Sequence, residues 1–198
     1  MSTRIIHILI AFAASTSWGC GVHASPPPEQ KTVRTEPRVL IAFNESVDAF
    51  RAVDDRVMGG VSRSGMKPSA SGHAVFTGNL SLEQNGGFAS VRSSGITLDV
   101  SDAEVLVLRV RGDGKRYKLR LHDDGRFDGV SFQSVFETKA GEWIEVELPL
   151  DGFRAVWRGR DVPGAAPLDR AEIVRVGLMI SDKQVGEFAL ELDWLASR

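Results

Sequence analysis

The stretch RYKLRL, residues 116–121, alternates basic with apolar side chains along its whole length. A period of two residues is typical of a β-strand that buries one face and exposes the other. The alternation predicts that Tyr117, Leu119 and Leu121 lie in a core. The basic side chains between them are predicted to face outward.

Strand-like runs recur on both sides of this stretch, separated by glycine, asparagine and aspartate. In chain order they are VLIAF (39–43), AVFTG (74–78), NLSLE (79–83), FASVR (88–92), ITLDV (96–100), VLVLRV (105–110), EWIEVEL (142–148), EIVRVGLMIS (172–181) and EFALELDWL (187–195). In the last run the alternation places Trp194 inward. Apart from a turn near residues 48–53, no window of helical length has an apolar stripe at helical spacing. Roughly ten short strands at this spacing predict an all-β fold, a jelly-roll sandwich.

Composition limits the classes of function. A chain of 198 residues, 42% of them hydrophobic, is long enough to bury one full core. The formal net charge of -2, without a concentrated basic patch, argues against nucleic acid as a partner. Neither a phosphate-binding loop nor a dinucleotide fingerprint is present, so no cofactor is expected.

The N-terminal residues resemble an export signal. Arg4 precedes a short apolar run, residues 5–14, which is about half the length needed to cross a bilayer. We expect a signal peptide over residues 1–24, removed either by cleavage after Ala24 or by lipidation of Cys20 as in a bacterial lipoprotein. Either route gives an exported protein, periplasmic or anchored to a membrane by its lipid. A Pro-rich polar linker over residues 25–37 is expected to lead into a domain over residues 38–198.

Two loops with paired glycines, residues 54–65 and 78–95, are the most distinctive parts of the sequence. Their candidate binding residues are Asp54, Asp55, Met58, Gly59, Gly60, Asn85, Gly86, Gly87 and Arg92. One interpretation is a ligand site built from two carboxylates and flexible backbone amides. The alternative is structural: an aspartate caps a turn, the glycines supply positive φ, and Asn85-Gly86 forms a hairpin turn. We also expect Arg92 to pair with Asp54 or Asp55 and to join the two loops.

A second candidate region is the irregular segment that contains Trp157, Arg158 and Arg160. The two arginines flank a glycine and could clamp an anion, or could tie the loop to acidic residues such as Asp169 and Glu172. Trp143 and Trp157 are expected either to stack on a sugar or a protein partner, or to cover an edge of the sandwich.

Motifs of catalysis and metal binding are absent from the sequence. HDDGRFDG, residues 122–129, is acidic but lacks the spacing of a calcium-binding EF-hand loop. Beyond the signal only His73 and His122 are present, without the spacing of a zinc protease, and no serine lies in a nucleophile elbow. Neither an enzyme nor a metal site is predicted.

Several of these segments together resemble the complex I intermediate-associated protein 30 family. They are VDDRVMGGVSRS (53–64), FTGNLSLEQNGGFASVRS (76–93), RGDGKRYKLRL (111–121), GEWIEVELPLDGFRAVWRGR (141–160) and VGLMISDKQVGEFALELDWL (176–195), in the family's order. The resemblance covers residues 43–196 and implies a galactose-binding-like jelly roll. Where relatives commonly have Trp and Asn-Asp, this chain has Phe50 and Asp54-Asp55.

The resemblance also implies a function. Members of the family act in the assembly of respiratory complex I as chaperone-like factors without enzymatic activity. We therefore expect a non-catalytic binding protein at the cell envelope, with a membrane or envelope protein complex as its partner. A carbohydrate-binding module with a glycan ligand is the alternative, and a glycan-acting enzyme is a third reading.

Overall fold

The computed structural model describes residues 37–198, which form two antiparallel sheets packed face to face. Sheet A contains β1 Arg38–Ala42, β3 Arg63–Pro68, β4 Ala74–Leu80, β6 Val105–Arg111, β9 Trp143–Pro149 and β13 Gly186–Ser197. Sheet B contains β2 Phe50–Ala52, β5 Ala89–Ser93, β7 Arg116–His122, β8 Ser131–Glu137, β10 Arg154–Trp157, β11 Arg160–Asp161 and β12 Arg175–Ile180. The prediction of an all-β sandwich is confirmed.

Strand order is far from chain order in both sheets. Sheet A runs β3-β4-β13-β6-β9, and β1 pairs with the second half of β13. Sheet B runs β11-β10-β8-β7-β12-β5-β2. One short helix, α1 Phe43–Ser46, and four single turns of 3-10 helix, Val47–Ala49, Asp55–Met58, Glu83–Asn85 and Leu150–Gly152, lie between strands. Within residues 37–198 no helix is long and apolar enough to cross a membrane.

The core lies between the sheets, and its centre is the apolar face of β7. Tyr117, Leu119 and Leu121 are fully buried, as the alternation predicts. The Tyr117 ring lies 6.3 Å from the ring of Phe76 and 6.4 Å from that of Phe188, both on sheet A. Its hydroxyl donates a hydrogen bond to Asp113 Oδ1 at 3.0 Å, so the buried polar atom has a partner.

Three predicted strands differ from the structure. Residues 96–100 make a single bridge, between Leu98 and Ile173, instead of a strand. The run over residues 79–83 is cut at Leu80, because the chain turns away to form a loop around Asp55. At the other end of the domain, Phe43 leaves β1 and starts α1.

The inward position predicted for Trp194 is wrong. Phe188, Leu190 and Leu192 are buried on β13, but the register against β6 shifts between Leu192 and Leu195. An irregularity of one residue reverses which side chains face the core. Leu195 is therefore buried in the place that alternation gives to Trp194, which is half-buried.

The predictions for the N-terminus cannot be compared with this structure. The signal peptide over residues 1–24, the lipidation of Cys20 and nearly all of the linker over residues 25–37 lie outside the described residues. The first described strand begins at Arg38.

Candidate functional site

The carboxylate of Asp55 is the centre of the two glycine-pair loops. The side chain is completely buried, at 0% exposure. Its Oδ1 accepts a hydrogen bond from Ser62 N at 3.0 Å, and its Oδ2 accepts from Ser62 Oγ at 2.5 Å, Gly87 N at 2.8 Å and Phe88 N at 3.3 Å. Four donors from two separate loops satisfy this buried charge.

Asp54 makes a parallel set of bonds one residue earlier. Its Oδ1 accepts from Ser64 Oγ at 2.5 Å and from Ser90 N at 2.9 Å, and its Oδ2 accepts from Ser64 N at 2.9 Å. Asp54 thus ties the start of β3 to β5, while Asp55 ties the same region to residues 87 and 88. Both carboxylates are held by internal hydrogen bonds, which fits the structural alternative for the pair.

Glycine is required where the loops close over Asp55. A Cβ at Gly60 would lie 2.4 Å from Asp55 Oδ1, and a Cβ at Gly86 would lie 2.8 Å from Oδ2 and 2.5 Å from the Ser81 carbonyl. Gly59 has φ of +93°, a conformation that strongly favours glycine. The expected Asn85-Gly86 hairpin turn is wrong, because the strands on either side, β4 and β5, belong to different sheets. The turn is centred one residue earlier: Gly86 N donates to the Glu83 carbonyl at 2.9 Å, and Gln84 and Asn85 both have positive φ.

The expected ion pair between Arg92 and the two aspartates is also wrong. Arg92 Nη1 donates to the Phe127 carbonyl at 2.7 Å, and its guanidinium lies 5.6 Å from the centre of the Phe127 ring. The reason is strand geometry. Arg92 projects from the outer face of β5, whereas the aspartates accept from backbone and serine groups at the strand ends.

An open cleft, the sheet B cleft, lies on the outer face of sheet B and has a volume of about 760 Å³. Its floor is formed by side chains of β5, β12, β7 and β8. One wall is the tip of the glycine-pair loops, and the other is the β7–β8 loop around Phe127 together with the turn after β10.

About half of the candidate binding residues predicted from the sequence line this cleft. Those lining it are Met58, Asn85, Gly86, Gly87, Arg92 and Arg158. Asp54, Asp55 and Gly60 brace the wall from within, and Gly59 shapes its turn. Arg160 is exposed on the edge strand β11 and is not among the lining residues.

Trp157 and Arg158 form one cluster with Asp128 at the end of the cleft. The Arg158 Nη2 and Nε atoms both bond Asp128 Oδ2, and the Arg158 guanidinium lies 4.8 Å from the centre of the Trp157 ring. The Arg158 hydrogen bond holds the pKa of Asp128 below its usual value. Trp157 Nε1 donates to the Asp128 carbonyl at 3.0 Å. Arg158 therefore pairs with Asp128, and not with Asp169 or Glu172.

Trp143 lies away from the cleft, on the outer face of sheet A. Its ring contacts the guanidinium groups of Arg109 and Arg111 at 5.6 and 5.3 Å and lies 4.6 Å from the ring of His73. The side chain is only half-exposed. Of the two alternatives for Trp143, packing on the sandwich surface fits these contacts.

Sequence reasoning missed several residues of the cleft floor. They are Lys118, Arg120, Gln133 and Met179. Alternation in RYKLRL did predict that Lys118 and Arg120 face outward. Nothing in the sequence, however, indicated which strands flank β7, so their convergence with Arg92 was not predictable.

His122, at the end of β7, is an unusual neighbour of this floor. It is 1% exposed, and neither ring nitrogen has a hydrogen-bond partner in the described part of the chain. Burial, and after it the nearby charges of Arg92, Arg120 and Arg175, lower the pKa of His122 to about 3. His122 is thus held neutral beside a cationic surface. Among residues 37–198, no cluster of three or more His, Cys, Asp or Glu side chains could hold a metal ion.

Solved structures with a similar fold include carbohydrate-binding proteins. The family 11 carbohydrate-binding module of Clostridium thermocellum in complex with a β-1,3-1,4-mixed-linked tetrasaccharide aligns with a TM-score of 0.63 and 15% identity, covering 83% of this chain and 97% of that chain. The agarase AgWH50C aligns with a TM-score of 0.51 and 13% identity, covering 82% of this chain and 24% of the agarase. At these identities the likeness concerns the fold alone, and it confirms a galactose-binding-like jelly roll.

Two relatives found by sequence are named as complex I intermediate-associated proteins and not as carbohydrate-binding proteins. The mitochondrial complex I intermediate-associated protein 30 of Mus musculus is 30% identical over 192 residues, covering 85% of this chain and 58% of the mouse protein. The Drosophila melanogaster protein of the same name is 29% identical over 159 residues, covering 69% of this chain and 53% of the fly protein. This chain thus spans a little over half the length of those relatives. The family's sequence model matches residues 40–192, nearly the whole sandwich. The chain therefore belongs to the complex I intermediate-associated protein 30 family.

Proposed function

We propose that this protein is a non-catalytic binding protein of the assembly-factor type that engages a protein partner through the sheet B cleft. The observation that carries the proposal is that the buried carboxylates of the glycine-pair loops and the exposed tips of these loops have different roles. The carboxylates of Asp54 and Asp55 accept internal hydrogen bonds that tie the two loops together. Their tips form a wall that is exposed to solvent.

The apolar side chains around the cleft support protein recognition. Val57 and Met58 on one wall are 63% and 60% exposed, and Phe127 on the other is 68% exposed. Exposed apolar side chains gathered around one cleft are typical of an interaction site, whereas single scattered ones are common on any protein surface. Methionine and aromatic side chains beside arginine are typical of the central part of protein interfaces.

Family membership favours a membrane protein complex as the partner. The mouse and fly relatives are named for association with intermediates of complex I. By this likeness, the partner of this chain is an incompletely assembled respiratory complex or a related complex of the envelope. Only the jelly-roll part of the relatives is shared, so the proposal assigns the partner contact to this domain.

Affinity purification with matched variants tests the proposal. The wild type, the double variant Met58→Ala/Phe127→Ala and the control Val39→Ala are used to capture proteins from detergent-solubilised membranes. Val39 is 57% exposed on β1, outside sheet B. We expect the wild type and the control to recover the same membrane complex, and the double variant to recover about tenfold less. Equal recovery with all three would show that the cleft is not the contact.

A carbohydrate-binding module is the second candidate. The exposed rings of Phe127 and Trp157, 68% and 44% exposed, are the observation that favours it, because flat rings stack on sugars. Affinity electrophoresis through mixed-linkage β-glucan distinguishes the candidates. Retardation by the gel, abolished in Trp157→Ala, would favour the glycan, whereas unchanged mobility agrees with a protein partner.

Export is a separate proposal. The short apolar run after Arg4 supports a signal peptide, and the position of Cys20 supports lipid anchoring. In this proposal the protein works at the outer side of the membrane, as a lipoprotein or in soluble form. Fractionation of cells that express Cys20→Ala tests the anchor. We expect the variant to move from the membrane to the soluble fraction, and retention on membranes would exclude a lipid on Cys20.

A further inference from the structure

Six residues on adjacent strands of sheet B form a straight row across its outer face. The pairings are Arg51 with Arg92, Arg92 with Gly177, Gly177 with Arg120, Arg120 with Gln133, and Gln133 with Arg154. Directly paired residues project on the same side of a sheet. The row therefore contains four arginines, and its centre lies in the floor of the sheet B cleft.

Gly177, at the centre of this row, is buried and carries no side chain. It lies between Arg92 and Arg120, and a Cβ there would contact Arg120 Cβ at 3.7 Å and Arg92 Cα at 3.9 Å. The Val91 carbonyl would lie closer, at 3.0 Å. With no side chain between them, Arg92 and Arg120 are neighbours in the row, and both line the sheet B cleft.

The central arginines of the row form no salt bridge within residues 37–198. Arg92 donates to the Phe127 carbonyl, and Arg120 Nη2 donates to Ser131 Oγ. Arg120 Nε is buried without any partner in this part of the chain. Arg175, which lies opposite His122 on the neighbouring strand, donates to backbone carbonyls of the β7–β8 loop, the shortest of these bonds being 2.7 Å to Gly125. Burial, and after it the charge of Arg175, lower the pKa of Arg92 more than the charge of Asp128 raises it. The positive charges are thus only partly compensated.

Three other cations of the same face have acidic partners. Lys118 lies 2.8 Å from Asp182, Arg154 lies 3.4 Å from Asp161, and Arg158 bonds Asp128. Arg51 at the end of the row donates to backbone carbonyls, as Arg92 does, but it does not line the cleft. Burial lowers the pKa of Arg120 to about 10, and the charge of Arg92 contributes to the shift. Packing like charges together costs free energy, which a bound anion would recover.

We propose that Arg92 and Arg120, supported by Arg175, bind the carboxylate of an acidic side chain of the protein partner on the floor of the sheet B cleft. This inference rests on the proposed function and names the chemistry that the cleft recognises. A guanidinium group pairs with a carboxylate through two parallel hydrogen bonds. The apolar walls formed by Met58 and Phe127 favour a segment in which acidic and apolar residues alternate.

Defined ligands test the inference without knowledge of the partner. The probes are a blocked decapeptide of alternating Leu and Glu, its counterpart with Gln in place of Glu, an oligogalacturonate with the same number of carboxylates, and inorganic phosphate. Binding is measured by titration calorimetry at one ionic strength. We expect the Glu peptide to bind the wild type at least about tenfold more tightly than the other three. Failure of the Glu peptide to bind, or equal binding of the Gln peptide, overturns the inference. Tighter binding of oligogalacturonate or phosphate overturns the assignment to an acidic peptide.

Matched variants locate the binding site. Arg120→Gln and Arg154→Gln remove the same charge from the same row, at its centre and at its edge. We expect Arg120→Gln to weaken binding of the Glu peptide about tenfold, and Arg154→Gln to change it less than about twofold. Equal losses would indicate attraction by overall charge and would overturn the site. Arg92→Gln, at a half-exposed position, provides a second central variant that does not depend on how the Arg120 site repacks.

Thermal unfolding separates binding from a structural role. In low salt without other anions, Arg120→Gln is expected to unfold at or above the wild-type temperature, because it removes an uncompensated charge. A lower temperature would show that Arg120 serves the fold instead. If these tests fail while the Met58→Ala/Phe127→Ala variant still loses its membrane complex, the proposed function stands and only the acidic ligand is wrong.

Discussion

At the scale of single residues, the most consequential group is the Asp55 carboxylate. One buried side chain accepts from Ser62 on the first loop and from the amides of Gly87 and Phe88 on the second. Hydrogen bonds to a charged acceptor are among the stronger ones, and losing the acceptor leaves each buried donor unsatisfied. The two loops are therefore tied to one another through this carboxylate, in addition to the bonds made by Asp54.

Replacement of Asp55 by Asn tests this dependence. The amide keeps the shape but turns one acceptor oxygen into a donor that faces other donors. We expect the free energy of unfolding to fall by about 3 kcal/mol, measured by chemical denaturation. Asp48→Asn, on an exposed aspartate, should change it by less than about 0.5 kcal/mol. Similar values for both variants would mean that the clamp contributes little.

His122 predicts a dependence of stability on pH. In the folded protein its pKa is about 3, whereas an unperturbed histidine has a value of 6.5. As the pH falls below 6.5 the unfolded chain takes up a proton that the folded chain does not, so the unfolded state is favoured. This histidine alone should lower the free energy of unfolding by up to about 1.4 kcal/mol per pH unit between pH 6.5 and pH 3.

The measurement compares wild type with His122→Leu from pH 7 to pH 4. Acidic groups titrate in both proteins, so the difference between the two curves reports the histidine. We expect the advantage of the variant to grow steadily as the pH is lowered. Parallel curves would show that the pKa of His122 is the same in the folded and the unfolded protein.

At the scale of elements, the glycine-pair loops act as braces between sheets A and B. The Ser62 and Ser64 donors lead into β3 of sheet A, and the Ser90 donor lies on β5 of sheet B. Gly60 and Gly86 let the two chain segments approach the Asp55 carboxylate closely. The wall of the cleft owes its shape to this bracing.

Gly60→Ala should disturb the brace far more than the same substitution at Gly65. A Cβ would lie 2.4 Å from Asp55 Oδ1, so the carboxylate must move and its bonds to Ser62 and Gly87 must lengthen. We expect a loss of about 2 kcal/mol or more in the free energy of unfolding. Gly65→Ala, where a Cβ meets nothing within 4 Å, is the matched control and should change it little. An equally mild effect at both positions would contradict the close packing of the loop.

Some elements could be predicted from the sequence, and others could not. Period-two alternation predicts β7 and most of the core correctly, because burial of one face is a local property of a strand. The wrong position of Trp194 follows from a register shift set by β6, and the wrong partner of Arg92 follows from strand pairing. Neither is encoded in a local pattern. The loop glycines were recognised as special, but their role requires Asp55, more than twenty residues from Gly86 in the chain.

At the scale of the whole molecule, residues near both ends of the described range contribute to one core. The buried core extends from Ile41 to Ala196 and includes side chains of both sheets. Several charged side chains on the surface of the domain form salt bridges, whereas Arg92 and Arg120 on the floor of the sheet B cleft form none within residues 37–198.

A chain that begins at residue 37 should keep the stability of the domain. Because the core contacts lie within residues 41–196, we expect a single cooperative transition within about 1 kcal/mol of the longer chain. Denaturant titration with fluorescence of the half-buried Trp143 and Trp194 measures it. Loss of cooperativity would show that residues before 37 contribute to the folded domain.

The pairing of β13 has a consequence for the order of events during synthesis. This strand joins β4 on one side and β6 on the other, and it also holds β1. The central strand of sheet A is therefore missing until the ribosome has released residues 186–197. Until then β1 has no strand to pair with, and this period covers almost the entire translation of the domain. Such distant pairings are slow to form and leave strand edges open in the meantime. We expect a nascent chain arrested before residue 186 to be digested readily by protease, whereas a stable early half would contradict this dependence on the last strand.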